Sequence, residues 1–353
     1  MKILHINGYA IRGGCEKACH TLICSTLDHE HEVMVLGEPG PMSADWEILN
    51  TNVRHLNILN QSLFSFQRAL KSALTKDYDL IIYWSNIRLA IVLNAVKGST
   101  RSIKIYMGNP CPYSKMQLLK ESLLSFLYPP ISLVQLLACS EYVATSFRDR
   151  LFFKNFQITA SLNPVFIPNV NPKLNGFSKT LNKIGMVARL DPIKNHSLLF
   201  HAFKRVLEKK PLVELHLAGN GILMDELVLL SNSLGINDNV VFHGDVEDVY
   251  AFLSHLDLFV YATTNKEGLG VSVVEAIANG LPCVLPDLPM LRELENEGDS
   301  LIWYNSNDHL ELANKILEVL AKPERLETIS NSNYQNAKRN FSPEKFVKSY
   351  LEN

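Results

Sequence analysis

Short apolar runs ending in glycine turns alternate with helix-like stretches along the 353-residue chain, and this alternation limits the folds open to it. KILHI (2–6) leads through a loop to Gly14 and a helical stretch to about Leu27. EVMVLG (32–37), LIIYW (80–84), IKIYM (103–107) and LVQLLACS (133–140) follow. IPNVNPKLNGFSKTLN, 167–182, then breaks the pattern with Asn and Pro and no period, which marks a link between domains. The same grammar restarts with KIGMVA (183–188), a helix to about Lys209, VELHLAG (213–219), NVVFHG (239–244), LDLFVYAT (256–263) and PCVLPD (282–287). Strands alternating with helices predict parallel βαβ units. The expectation is an α/β protein of two doubly wound domains, 1–166 and 167–335, facing a central cleft. A terminal segment, 336–353, ends in SPEKFVKSYLEN, whose serine cap, Pro at the first helical position and Glu at the second predict a helix. That helix could pack back on the first domain.

A formal net charge of −2 leaves no electrostatic footprint for nucleic acid. With 47% apolar and 20% charged residues the composition is that of an ordinary soluble protein. Six cysteines without a paired framework suit a reducing cytoplasm. The apolar run of MKILHING is too short for a signal peptide, and no uninterrupted apolar stretch is long enough to span a bilayer. MQLLKESLLSFLYPPISLVQLLACS is broken by Lys120, Glu121 and Pro129-Pro130. It reads as one or two helices on a core, or as an apolar surface that also touches a membrane.

Ligands of doubly wound sheets bind beyond the carboxyl ends of the strands, so the loops there carry the candidates. EGLGVSVVEAIANGLP (267–282) follows LDLFVYAT. Gly268 and Gly270 let backbone come close to a ligand, and a helix starting near Ser272 offers unpaired N–H groups to phosphate. Ser272-Val-Val-Glu275 also fits a capping box. Glu267 is read as an exposed loop acid with no structural duty, and Gly280 and Pro282 as ordinary helix stops. In IGMVARLDPIKNH, Arg189 and Lys194 are either a pair of cations suited to a diphosphate or two solvated charges. AGNG (218–221) and FHGDVEDV (242–249) add two more bare turns, at Gly219 and Gly244.

The ordered set ARL-x3-K, LAGNG, HG and EGLG-x4-EA-x2-G-x-P resembles the C-terminal domain of retaining glycosyltransferases of the GT-B fold, the GT4 group. The resemblance covers most of 183–290 and includes that family's E-x7-E spacing at Glu267 and Glu275. In the first half it is thinner: Gly13-Gly14, GNP (108–110) and CSEY (139–142). It implies two Rossmann-like domains and a nucleotide-diphosphate sugar donor, UDP-sugar favoured. Glu267 would hydrogen-bond the donor sugar. The backbone from Gly268 through Leu269 and Gly270 to Val271 would meet sugar and phosphate, and Glu275 would accept from the ribose. Arg189 and Lys194 would neutralise the diphosphate, with Gly14 approaching it from the first domain. The implied activity is metal-independent hexosyl transfer, with no cofactor, to a glycan or lipid-linked acceptor in surface polysaccharide or lipopolysaccharide synthesis. The implied location is the cytoplasm, with peripheral contact at the inner membrane face.

Many members of that family carry a histidine where this sequence has Met107, so one polar contact to the sugar must come from elsewhere. A non-catalytic sugar-nucleotide sensor is the alternative this residue keeps open. An oxidoreductase is disfavoured because HINGYAIRGG supplies no G-x-G-x-x-G. Asp77-Tyr-Asp79 imitates a metal-binding D-x-D but precedes its strand, the wrong end for a ligand. Cys15, Cys19, His20 and Cys24 read as helix packing, and His29-Glu-His31 as an exposed turn.

Overall fold

The computed structural model describes residues 1–74, 76–85, 88–112, 114–124, 131–173, 177, 181–295 and 300–352. The chain divides into two compact units, one of Met1–Pro164 with Pro343–Asn353 and one of Val165–Ser342. Much of the predicted link, 174–176 and 178–180, and residues 125–130 of the long apolar stretch lie outside the described residues.

The first unit is built on a seven-stranded parallel sheet: β1 (Lys2–Asn7), β2 (Glu30–Val35), β3 (Asn52–His55), β4 (Tyr78–Tyr83), β5 (Thr100–Met107), β6 (Val134–Ala138) and β7 (Gln157–Ala160). Their order is β3-β2-β1-β4-β5-β6-β7. The second unit holds β8 (Lys183–Val187), β9 (Glu214–Ala218), β10 (Val240–Gly244), β11 (Leu258–Val260), β12 (Cys283–Pro286) and β13 (Leu301–Tyr304), ordered β10-β9-β8-β11-β12-β13. Every pairing in both sheets is parallel. The central strands are covered on both faces and therefore read as continuous apolar runs. The edge strands β3, β7 and β13 escaped the sequence reading. NVRH and QITA are short and half-exposed, and β13 is only four residues long.

The segment expected as one terminal helix is two elements. A helix Leu326–Asn340 stays in the second unit, where Asn333 donates to Leu281 O (2.7 Å) and Asn336 to Leu294 O (3.0 Å). The helix Pro343–Leu351 returns to the first unit. Its Tyr350 stacks on Trp84 with ring centroids 5.3 Å apart, and the buried Lys104 ammonium donates to Ser349 O and Glu352 O, both at 3.2 Å.

His29-Glu-His31 is not an exposed turn, because His31 lies within β2 and is buried. Trp84 Nε1 donates to His5 Nδ1 (3.1 Å), His5 Nε2 lies 2.9 Å from His31 Nδ1, and His31 Nε2 lies 2.8 Å from Thr26 O. An indole nitrogen only donates, so His5 Nδ1 accepts. His5 Nε2–H then donates to His31, and His31 Nε2–H donates to the Thr26 carbonyl, which makes both rings neutral. Burial pushes His5 well below its ordinary 6.5, with His31 adding to the effect. Burial also lowers His31, opposed by its bond to Thr26 and by Asp28, and reinforced by His29 and the N-terminus.

Below its ordinary histidine pKa the unfolded chain takes up protons that these folded rings refuse. Stability is therefore complete above about pH 6.5 and falls below it, by up to about 1.4 kcal/mol per pH unit for each histidine. Amide exchange in 2–7 and 30–35, corrected for intrinsic rate, should lose protection between about pH 7 and about pH 5. Unchanged protection across that window would contradict the tautomer chain.

Candidate functional site

The second sheet reverses its order between β8 and β11, which places its crevice at the loops leaving those two strands. The loop after β8 is held by Leu190 N donating to Asn220 O (2.9 Å) and by Asp191, whose carboxylate accepts from Ile193 N (3.0 Å). A tight turn, Pro192–Lys194, ends at Asn195 in the left-handed region (φ 42°) and opens the helix His196–Leu207. Thr263 Oγ1 (3.1 Å) and Thr264 N (3.0 Å) both donate to Ile193 O, stitching the β8 loop to the β11 loop.

Lys194 and Glu267 meet across that stitch as an ion pair, both side chains close to nine-tenths buried. Tyr261, the residue after β11, sits between them. Its hydroxyl accepts from Lys194 Nζ (2.7 Å) and donates to Glu267 Oε2 (2.9 Å). Thr263 Oγ1 reaches the same oxygen at 3.4 Å, and Glu267 Oε1 accepts from Gly268 N (3.1 Å). Burial works to raise the Glu267 carboxyl, but Lys194 and the hydrogen bonds from Lys194, Tyr261 and Gly268 bring it below the usual range. Burial likewise lowers Lys194, and the Tyr261 and Glu267 side chains more than reverse it. Both directions favour the ionised pair.

Glu267 is therefore not the exposed acid that the sequence suggested, because its reach back to Lys194 depends on a fold contact 73 residues away. Nor are Arg189 and Lys194 two free cations. Arg189 is 64% exposed and bridges to Asp191 (3.0 Å). That surface pair is cheap to open, worth about 0–1 kcal/mol, whereas the buried Lys194–Glu267 pair is not. Arg189 is the cation able to move to a ligand.

The helix Val271–Ala278 begins one residue before Ser272. Its cap is Gly270 at φ 78°, so the expected Ser272–Glu275 capping box does not form. Glu275 instead lies in the body of the helix with 4% exposure, a carboxyl that the local rule does not explain. Leu269 is buried. Gly280 follows the helix with φ 68°, the stop that the sequence predicted. Gly219 has a packing reason of its own: a Cβ there would come within 2.1 Å of Ala188 O. Its amide donates to the carbonyl of Gly244 (2.7 Å), another left-handed glycine.

In the first unit, Gly13 precedes and Gly14 begins the helix Gly14–Cys24, after β1 and beside that sheet's own switch point. The Glu16 carboxylate crowds this turn, since a Cβ on Gly13 would meet it at 2.4 Å. Met107 is buried at the end of β5. Asp79 accepts from Lys2 N (2.8 Å) at the amino edge of the sheet, away from these loops. The sequence reading missed Tyr261. The signal was a tyrosine closing an otherwise apolar strand, since a buried phenol needs a polar partner.

Residues 170–336, nearly all of the second unit, match the family model described as glycosyl transferases group 1. The two parallel-sheet units have the architecture of GT-B glycosyltransferases. The crystal structure of Anabaena HepE in complex with UDP and glucose superposes with a TM-score of 0.81 at 20% identity, covering 100% of this chain and 98% of that one. Staphylococcus aureus TarM, solved as a mutant with UDP, α-GlcNAc-glycerol and fondaparinux, gives a TM-score of 0.78 at 12% identity over 99% of both chains. An alpha-monoglucosyldiacylglycerol synthase of Streptococcus pneumoniae is 30% identical over 160 residues, 44% of this chain and 35% of that protein. A phosphatidyl-myo-inositol mannosyltransferase of Mycobacterium leprae is 29% identical over 152 residues, 42% of this chain and 40% of its own. The chain thus spans well under half the length of these two curated relatives.

Removing one member of a buried pair leaves the other charge without compensation, at a cost of about 3–5 kcal/mol. Glu267→Ala should lower the denaturant stability of the second unit by that amount, whereas Arg189→Ala should stay within about 0.5 kcal/mol of the parent. Equal effects would contradict the division between a fixed and a mobile cation.

Proposed function

We propose that the chain is a retaining, metal-independent glycosyltransferase that moves a hexosyl unit from a nucleotide-diphosphate sugar, UDP-sugar favoured, to a glycan or glycolipid acceptor. The observation that carries the reading is the Lys194–Tyr261–Glu267 cluster at the switch point, beside a helix opened by left-handed Gly270, inside the segment matching the group 1 family. Glu267 accepts from donor-sugar hydroxyls through the lone pairs its own partners leave, and Glu275 accepts from the ribose. Backbone from Gly268 to Val271 meets sugar and phosphate. Because the charge of Lys194 is matched by Glu267, the diphosphate relies for compensation on Arg189 and the positive helix start. The first unit takes the acceptor, and its Gly13-Gly14 turn stands at that sheet's own switch point.

In the transfer, the bond from the anomeric carbon to the leaving phosphate oxygen breaks while a bond to the acceptor oxygen forms on the same face. The acceptor's proton passes to the departing phosphate oxygen. Losing one preorganised electrostatic contact to such a leaving group costs about 100- to 1000-fold in rate. Arg189→Ala should therefore cut turnover by that factor with a far smaller change in donor affinity, and EDTA should leave the rate unchanged. The anomeric configuration of the product, read by NMR against the donor, decides the stereochemistry, and an inverted product would sink the mechanism. Glu275→Gln should weaken UDP binding with little change in melting temperature. Donor binding without turnover over a panel of donors and acceptors would favour the sensor reading instead.

The proposed setting is surface polysaccharide or lipopolysaccharide synthesis at the cytoplasmic face of a membrane. In the helix Lys115–Leu124, Met116, Leu119 and Leu123 are 61–69% exposed at spacings of three and four residues, one apolar face. Among the described residues no helix is long and apolar enough to cross a membrane. Flotation with anionic liposomes at low salt tests the contact, and protein left at the bottom of the gradient would refute it.

A further inference from the structure

Tyr261 is completely buried, yet it meets Lys194, Glu267 and the turn at Gly270. Its backbone is clamped on both sides: its N–H donates to Val284 O (3.0 Å) on β12, and its carbonyl accepts from the buried Tyr304 hydroxyl (3.0 Å). The side chain thus springs from a rigid strand end and not from a loop. A Cβ on Gly270 would lie 3.3 Å from the Tyr261 ring, so the helix start rests on the same side chain. The ammonium of Lys194 stands 5.3 Å from the ring centroid.

The direction of the hydrogen bonds matters more than their number. Lys194 is a donor only and Glu267, ionised, an acceptor only, so the phenol between them must accept from one and donate to the other. Two of the three ammonium protons are then committed, to Tyr261 and Glu267. A direct lysine–glutamate contact without the phenol would leave both flexible stems free to rotate about it. The rigid ring removes that freedom.

We propose that Tyr261 is a positioning residue of the donor site, its hydroxyl locking the Lys194 ammonium and the Glu267 carboxylate in one arrangement before the sugar diphosphate arrives. The proposal rests on the functional reading above. It adds that the pair is preformed, so that ordering it is no part of the barrier to transfer.

The test compares Tyr261→Phe with Tyr304→Phe. The first removes the hydroxyl between the charges. The second loosens the same tyrosine through its backbone and leaves that hydroxyl in place. Turnover of UDP-glucose is measured beside UDP affinity by calorimetry, with thermal stability recorded for both variants. Tyr261→Phe should lower kcat by about 10- to 100-fold, the order of effect a small misplacement produces, with KM for the donor within about threefold. Tyr304→Phe should keep kcat within about threefold even where its loss of stability is as large. In a Glu267→Gln background the Tyr261→Phe effect should shrink, because residues acting as one unit are not additive. Unchanged kcat in Tyr261→Phe, or an equal fall in Tyr304→Phe, overturns the proposal. If the parent binds UDP but transfers nothing from any donor, the functional reading fails while the positioning role is judged by UDP affinity. It survives there only if Tyr261→Phe weakens binding and Tyr304→Phe does not. A parent that binds no UDP overturns both.

Discussion

A buried ion pair is costly unless its geometry is tight and its remaining valences are filled, and the carboxyl edge of the second sheet is organised around meeting both conditions. Lys194 arrives on a turn held by Asp191 and by a left-handed Asn195, and Glu267 arrives on a loop stitched back to Ile193. Tyr261 joins the two, and Gly270, left-handed at φ 78°, opens the helix close beside that ring. Shifting any one of these elements would leave a charge stranded in a poorly solvated site.

The same pair alters how charge is distributed before any ligand is present. Arg189 and Lys194 look equivalent in sequence, both cations beyond one strand. One is mostly solvated and leans on Asp191, while the other is enclosed with its counterion. A lysine in that position works as a fixed dipole with Glu267 more than as a free charge, whereas the arginine keeps its reach. Two residues five positions apart thus have different costs of movement, set by burial.

The central strands were legible because both faces are covered, which forces apolar runs such as LIIYW and LDLFVYAT. The strand-end loops followed from the alternation, and the carboxylates at 267 and 275 from their spacing, whereas the strand order that sets the switch points was not read. What failed were inferences from local rules about residues fixed by distant ones. The capping box at Ser272–Glu275 was sound as local grammar, but Gly270 takes the cap and Glu275 falls in the body of the helix. His31 looked like a turn residue among charged neighbours, and only its partner on β1 reveals a buried ring. Tyr261 went unread because a tyrosine closing an apolar strand says that a partner is needed but not which one. Its partners come from a turn 67 residues earlier and a loop just after it.

The return of the helix Pro343–Leu351 to the first unit orders the folding of the chain in time. Trp84 is covered by Tyr350 and Phe346, and among the described residues Lys104 finds its acceptors at Ser349 and Glu352. Until those residues emerge during synthesis, the first unit carries an unsealed aromatic surface and a buried ammonium without acceptors. The second unit is encoded whole between 165 and 342 and meets no such delay. Although domains generally complete in the order they are made, here the unit translated first is the one that must close last.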